Sequence, residues 1–188
     1  EGLRRAANAT ALLRLPHKPS GERMGELKLT DTCAGCRVER AVDNPQGAQV
    51  AAGDRFRLLL ESTSGKSLYP YLFEVTPQFG ISRLYPPGSA SDKLAGFGFV
   101  HVGEAVRAAR PGNFRLVLIL SEVPLAAGPL EQGSLPRAGG CEDGHALAKL
   151  LCAASRGTRS AEALPAGDFD VVTVPVTIGP PTSKEGSR

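Results

Sequence analysis

Apolar and polar positions change their period twice along this chain. Over the first fifteen residues Leu3, Ala6, Ala7, Thr10 and Leu13 recur at helical spacing, with Arg4, Arg5 and Arg14 outside the stripe. That pattern predicts a short amphipathic helix over residues 1–15. Pro16 ends it, since proline lacks the N–H a further turn needs. His17–Gly25 then reads as a linker rich in Pro, Gly and charge. The helix is expected to be the tail of a preceding domain.

From Glu26 the pattern shifts to short apolar runs separated by turn residues. Leu27 and Leu29 suit a first short strand, and Arg37–Val42 is a weaker candidate. Asp43-Asn44-Pro45-Gln46-Gly47 reads as a turn or loop. Arg55–Glu61 alternates and then becomes fully apolar at Leu58–Leu60, while Leu68–Val75 carries Tyr69, Tyr71, Phe73 and Val75 at period two. Thr76–Gly80 is a hairpin-type turn into Ile81–Tyr85, which Pro86-Pro87-Gly88 stops. Phe97–Val102 is a further strand. Phe114–Glu122, with Leu116–Leu120 apolar throughout, reads as a central strand buried on both faces.

After Pro124 the period changes again. Residues 126–142 form a loop of Gly, Pro and Ala. Asp143 then caps a helix with Leu147, Leu150, Leu151 and Ala154 on one face, and Gly157 stops it. Phe169–Ile178 alternates Val172, Val174, Val176 and Ile178, and Pro175 within it suggests an edge strand. The expected fold is mainly β: an antiparallel β-sandwich, immunoglobulin-like or jelly-roll-like, with one N-terminal helix and one helix in the C-terminal half. Residues 1–25 form helix and linker, 26–178 the sandwich with a helical insertion at 143–157, and 179–188 a disordered tail.

Composition narrows the function. The chain has 188 residues, formal net charge +3 and no Trp. So weak and scattered a positive charge, with few aromatics for stacking on bases, argues against nucleic acid. No apolar run reaches the roughly 20 residues of a membrane-spanning helix. The expected partner is protein, and the oligomeric state is left open.

Candidate chemistry centres on four cysteines, Cys33, Cys36, Cys141 and Cys152. An even count in two close groups favours disulfides over free thiols or a metal, and so a periplasmic or extracellular location. The proposed pairs are Cys33 with Cys36 and Cys141 with Cys152; crossed pairing of the two groups is the alternative. Closing the second loop would contribute about 3 kcal/mol. Cys33-Ala34-Gly35-Cys36 has the spacing of a redox motif, but the turn-rich segment before it lacks a strand–helix unit. A zinc site lacks a properly spaced second pair, although His145 lies between Cys141 and Cys152. Asp31-Thr32-Cys33 echoes the end of a caspase strand, yet only His17 precedes it. His101 and His145 read as surface histidines, and Ser62, Ser64 and Ser67 lie in no nucleophile elbow. Gly96-Phe97-Gly98-Phe99 reads as a turn or bulge. Asn8-Ala9-Thr10 matches a glycosylation sequon by chance. No catalytic residue, binding residue, metal or cofactor is assigned.

One resemblance bears on function. Gly53-Asp54 before Arg55–Glu61, Tyr71-Leu72-Phe73-Glu74-Val75, Gly80 leading into Ile81–Pro86, Leu94-Ala95-Gly96 and Leu116–Leu120 closing with Ser121–Leu125 stand in one order. This block, residues 53–125, resembles the bacterial family catalogued as domain of unknown function 4384. Tyr69-Pro70 departs from the family pattern. The resemblance implies a module of multidomain bacterial proteins, often C-terminal to caspase-like peptidase domains or in envelope-associated proteins. The expected function is a non-catalytic accessory binding or scaffolding domain of a bacterial envelope or secreted protein, bound to its own upstream domain or to another envelope protein. The competing expectation is an enzyme, either a C-x-x-C thiol–disulfide oxidoreductase or part of a peptidase.

Overall fold

The computed structural model describes residues 2–15, 17–18, 22–31, 39–41, 47–53, 55–87, 92–107, 111–124 and 169–180. The four cysteines, the helix expected at 143–157, the loop at 43–46 and the tail at 181–188 lie outside the described residues. The elements in chain order are helix α1 (Gly2–Leu13) and strands β1 (Gly25–Asp31), β2 (Glu39–Ala41), β3 (Ala48–Ala51), β4 (Arg55–Ser62), β5 (Tyr69–Val75), β6 (Ile81–Tyr85), β7 (Phe99–Arg107), β8 (Gly112–Ser121) and β9 (Phe169–Gly179).

The strands form two sheets. The first runs β2-β1-β4-β7 and the second β3-β9-β8-β5-β6. All pairs are antiparallel except β3 with β9, which run parallel from Ala48 opposite Val176 to Ala51 opposite Gly179. The fold is a β-sandwich. Its interior is filled by alternate residues from both sheets: Leu27, Phe56, Leu58 and Leu60 from the first, Leu72, Leu116, Leu118, Val172 and Val174 from the second.

A second core lies on the outer face of the second sheet. There Tyr71, Phe73, Val117, Ile119 and Val171 pack against Ala9, Ala11, Leu12 and Leu15 of the N-terminal segment. This third layer explains why β8 is apolar at every position from Leu116 to Leu120: one set of side chains faces the sandwich, the alternate set faces the helix. Burying Leu12 and Leu15 contributes roughly 1.5–3 kcal/mol each.

Two sequence expectations need correction. The helical face that docks differs from the expected stripe: of that stripe's described side chains, only Leu13 packs in part against the second core. Ala7 is exposed and Ala6, Thr10 and Leu13 are only partly covered, whereas Asn8, Ala9, Ala11, Leu12 and Leu15 are buried. The helix is apolar on two sides, and small Ala9 and Ala11 let the other side approach the sheet closely. The docked helix is thereby part of the sandwich's own packing. The second correction concerns β9, which is not an edge strand: it lies between β3 and β8. Its ladder to β3 begins only at Val176, one residue beyond Pro175. Pro70 shows the same arrangement on β5, where pairing with β6 begins only at Leu72. Each proline sits beside a neighbour too short to reach it.

Glycine is required where β3 is entered. Gly47 has φ +76°, and a Cβ there would lie 2.1 Å from the Pro175 carbonyl oxygen. A side chain at 47 would push β3 off β9.

Candidate functional site

Beyond the end of α1, the outer face of the second sheet continues uncovered by the helix. On β8 the outward positions Val117 and Ile119 lie under the helix, whereas Arg115 and Asn113, next in the alternation, are exposed. On β9 the same alternation brings Pro175 and Thr177 opposite Arg115 and Asn113. These positions border a groove of about 720 Å³. One wall is the flank of the helix end, Thr10, Leu13 and Arg14. The other is the β5–β6 turn, Val75, Thr76, Pro77 and Phe79, with Phe114 and Val176 completing the lining. The volume falls within the roughly 300–1,000 Å³ of small-ligand and peptide-side-chain sites.

The turn is built rigidly. The Thr76 N–H donates to the Gly80 carbonyl (2.9 Å), the Phe79 N–H to the Thr76 carbonyl (2.9 Å) and the Gly80 N–H to Thr76 Oγ1 (3.0 Å). These bonds hold Phe79 at φ 61°, in the left-handed region where a bulky side chain costs energy. The ring stays 44% exposed at the groove's rim. Glycine at this position would relieve the backbone, so the aromatic is kept against local preference.

The groove's charge is one-sided. Arg14 and Arg115 line it, no carboxylate does, and neither arginine takes an ion pair among the described residues. Elsewhere, Lys28 pairs with Glu61 and Lys66 with Glu122.

The base of the helix is fastened by a buried carboxylate. Asp170, 1% exposed, accepts N–H bonds from Met24 (2.8 Å), Val171 (2.8 Å) and Lys18 (3.3 Å). His17 Nδ1 lies 2.8 Å from the Val171 carbonyl oxygen, on which it donates. The linker after α1 is thus stitched to the start of β9. Neither His17 nor Asp170 opens on the groove.

The other residues weighed from sequence fall elsewhere. His101 lies on β7, exposed on the outer face of the first sheet, with its ring edge-on to Phe99 at 5.9 Å. Ser62 is buried, its hydroxyl donating to the Ser64 carbonyl at 3.1 Å. Phe97 forms the turn expected at Gly96–Phe99, with φ 55°. Asn8, on α1, is 5% exposed and so out of reach of a glycan-transferring enzyme. Cys33, Cys36, Cys141 and Cys152 lie outside the described residues. Sequence reasoning placed Arg14 on a solvated helix face and passed over Arg115 and Phe79. The available signals were an arginine breaking the apolar run of β8, and a phenylalanine at a turn position that favours glycine.

No family model, curated protein or solved structure matches this chain.

Proposed function

We propose that this chain is a non-catalytic accessory binding or scaffolding domain of a bacterial envelope or secreted protein, and that it takes its protein partner in the groove beside α1. The observation that carries this reading is the rim: Phe79 held at positive φ with its ring exposed, on a groove whose two arginines meet no carboxylate among the described residues. Strain and uncompensated charge at one place mark a surface kept for contact rather than for stability. The resemblance of residues 53–125 to a family of bacterial accessory modules favours the same reading, including a place as the C-terminal appendage of a caspase-like peptidase.

The test is photocrosslinking in the native host. A benzoyl-phenylalanine in place of Phe79 is expected to give a discrete protein adduct, and one in place of Arg57, on the far sheet, is not. Absence of any adduct at position 79 refutes the binding role of the groove. Insulin reduction that is lost on Cys33→Ser would replace the reading with a thiol–disulfide oxidoreductase.

A further inference from the structure

We infer that the groove recognises an acidic peptide segment bearing an apolar side chain beside its carboxylates. This rests on the binding role proposed above and names the chemistry of the partner. Arg14 comes from the end of α1 and Arg115 from the sheet, so the two guanidiniums reach the groove from different walls. Each presents a planar fork of N–H donors that matches a carboxylate in two parallel bonds. No lining residue supplies the opposite charge. Among the described residues no carboxylate answers the two arginines, so an acidic ligand meets an uncompensated positive charge there.

Charge alone does not define the ligand. Leu13, Val75, Pro77, Phe79 and Phe114 give the same groove an apolar wall. A free phosphate or a small carboxylate would leave that wall wet. The groove also crosses β5, β8 and β9, a width that an extended chain of several residues spans. An acidic peptide with one aliphatic or aromatic residue satisfies both walls at once: carboxylates at the two arginines, the apolar side chain against Phe79. Nucleic acid also carries negative charge, but it demands a broader basic surface than two arginines on a chain of net charge +3.

The experiment is fluorescence polarisation at low ionic strength with three labelled hexapeptides: EDLFED, its neutral counterpart QNLFQN, and EDGSED, which lacks the apolar centre. The first is expected to bind tightest and to weaken with added salt. Arg14→Gln and Arg115→Gln should each weaken it by about threefold to fivefold, as expected for solvent-exposed arginine–carboxylate pairs. Arg57→Gln removes the same charge from the far sheet and should leave binding within about twofold. Phe79→Gly should weaken EDLFED while leaving the urea midpoint near that of the parent chain, because glycine accepts the turn's backbone without strain. Equal loss with Arg57→Gln overturns the inference, since binding is then bulk charge. Equal binding of QNLFQN that is sensitive to Phe79→Gly overturns the acidic assignment and leaves the groove as a binding site. Failure of all three peptides overturns the ligand class, while the crosslink at position 79 still judges the binding role separately.

Discussion

The Asp170 carboxylate accepts the backbone N–H of Met24 at 2.8 Å, joining the end of the N-terminal linker to the start of β9. The same carboxylate takes the Val171 N–H and the Lys18 N–H. Bonds from N–H groups to a buried carboxylate are stronger than neutral ones, and removing the acceptor leaves buried donors unsatisfied. Asp170→Ala should therefore destabilise the fold by about 3 kcal/mol, and Asp170→Asn by less, since its amide oxygen still accepts. Urea titration should show the midpoint falling with the slope unchanged.

Among the described residues, two buried polar atoms lack a hydrogen-bond partner: Asn8 Nδ2 on α1 and Thr173 Oγ1 on β9. Thr173→Val keeps the branched shape and removes the unsatisfied hydroxyl. It should stabilise the chain by about 1 kcal/mol in thermal or urea unfolding. A loss of similar size would mean that the hydroxyl is satisfied in solution.

Glu74 sits opposite Leu116 on β5, where burial raises its carboxyl above the ordinary value of 4.5. The folded chain thus holds this proton more tightly than the unfolded chain does. Stability from this group is greatest below pH 4.5 and is lost as pH rises through the folded value. Glu74→Gln should accordingly stabilise at neutral pH, by about 0.5 kcal/mol because water screens a half-buried carboxyl, and should give no gain at pH 4 or below. Urea midpoints at the two extremes decide it.

At the alkaline end, Tyr85 is the sensitive group. Burial, then the negative charge of Asp92 and the hydrogen bond its hydroxyl donates to Asp92 Oδ2 (3.2 Å), push it from 10.0 to about 12. Between those values the unfolded chain loses the proton first, so stability should fall from pH 10 to pH 12, by on the order of 1 kcal/mol because water screens the phenol's end. Tyr85→Phe should flatten that fall. An unchanged slope would place the alkaline loss at another group.

Much of the sandwich was legible because its signals are local. The alternation in Tyr69–Val75, the turn at Thr76–Gly80 and the apolar run at Leu116–Leu120 each carry their own period, and each appears as a strand or hairpin. The parts missed depend on distant partners. Four residues, Ala48–Ala51, have no strand pattern of their own and become β3 only because β9 lies alongside. Pro175 looks like an edge signal until the shortness of β3 is known. The docking side of α1 was misread because the helix has two apolar faces and only the sheet chooses between them. The groove is the least local feature of all: positions 10–14, 75–79, 113–115 and 175–177 meet only once both ends of the chain are in place.

The insertion of β9 between β3 and β8 sets an order on synthesis. Every strand from β1 to β8 leaves the ribosome before the one that completes the second sheet. Until Phe169–Gly179 arrives, β8 presents an open edge that is apolar from Leu116 to Leu120, β3 lacks the strand it pairs with, and the linker after α1 has no Asp170 to hold it. A nascent or truncated chain ending before Phe169 is thus an aggregation-prone intermediate with a long exposed strand edge, in need of a chaperone or of rapid completion. β9 acts as a closing key, and the step that inserts it also brings Pro175, Val176 and Thr177 to the groove.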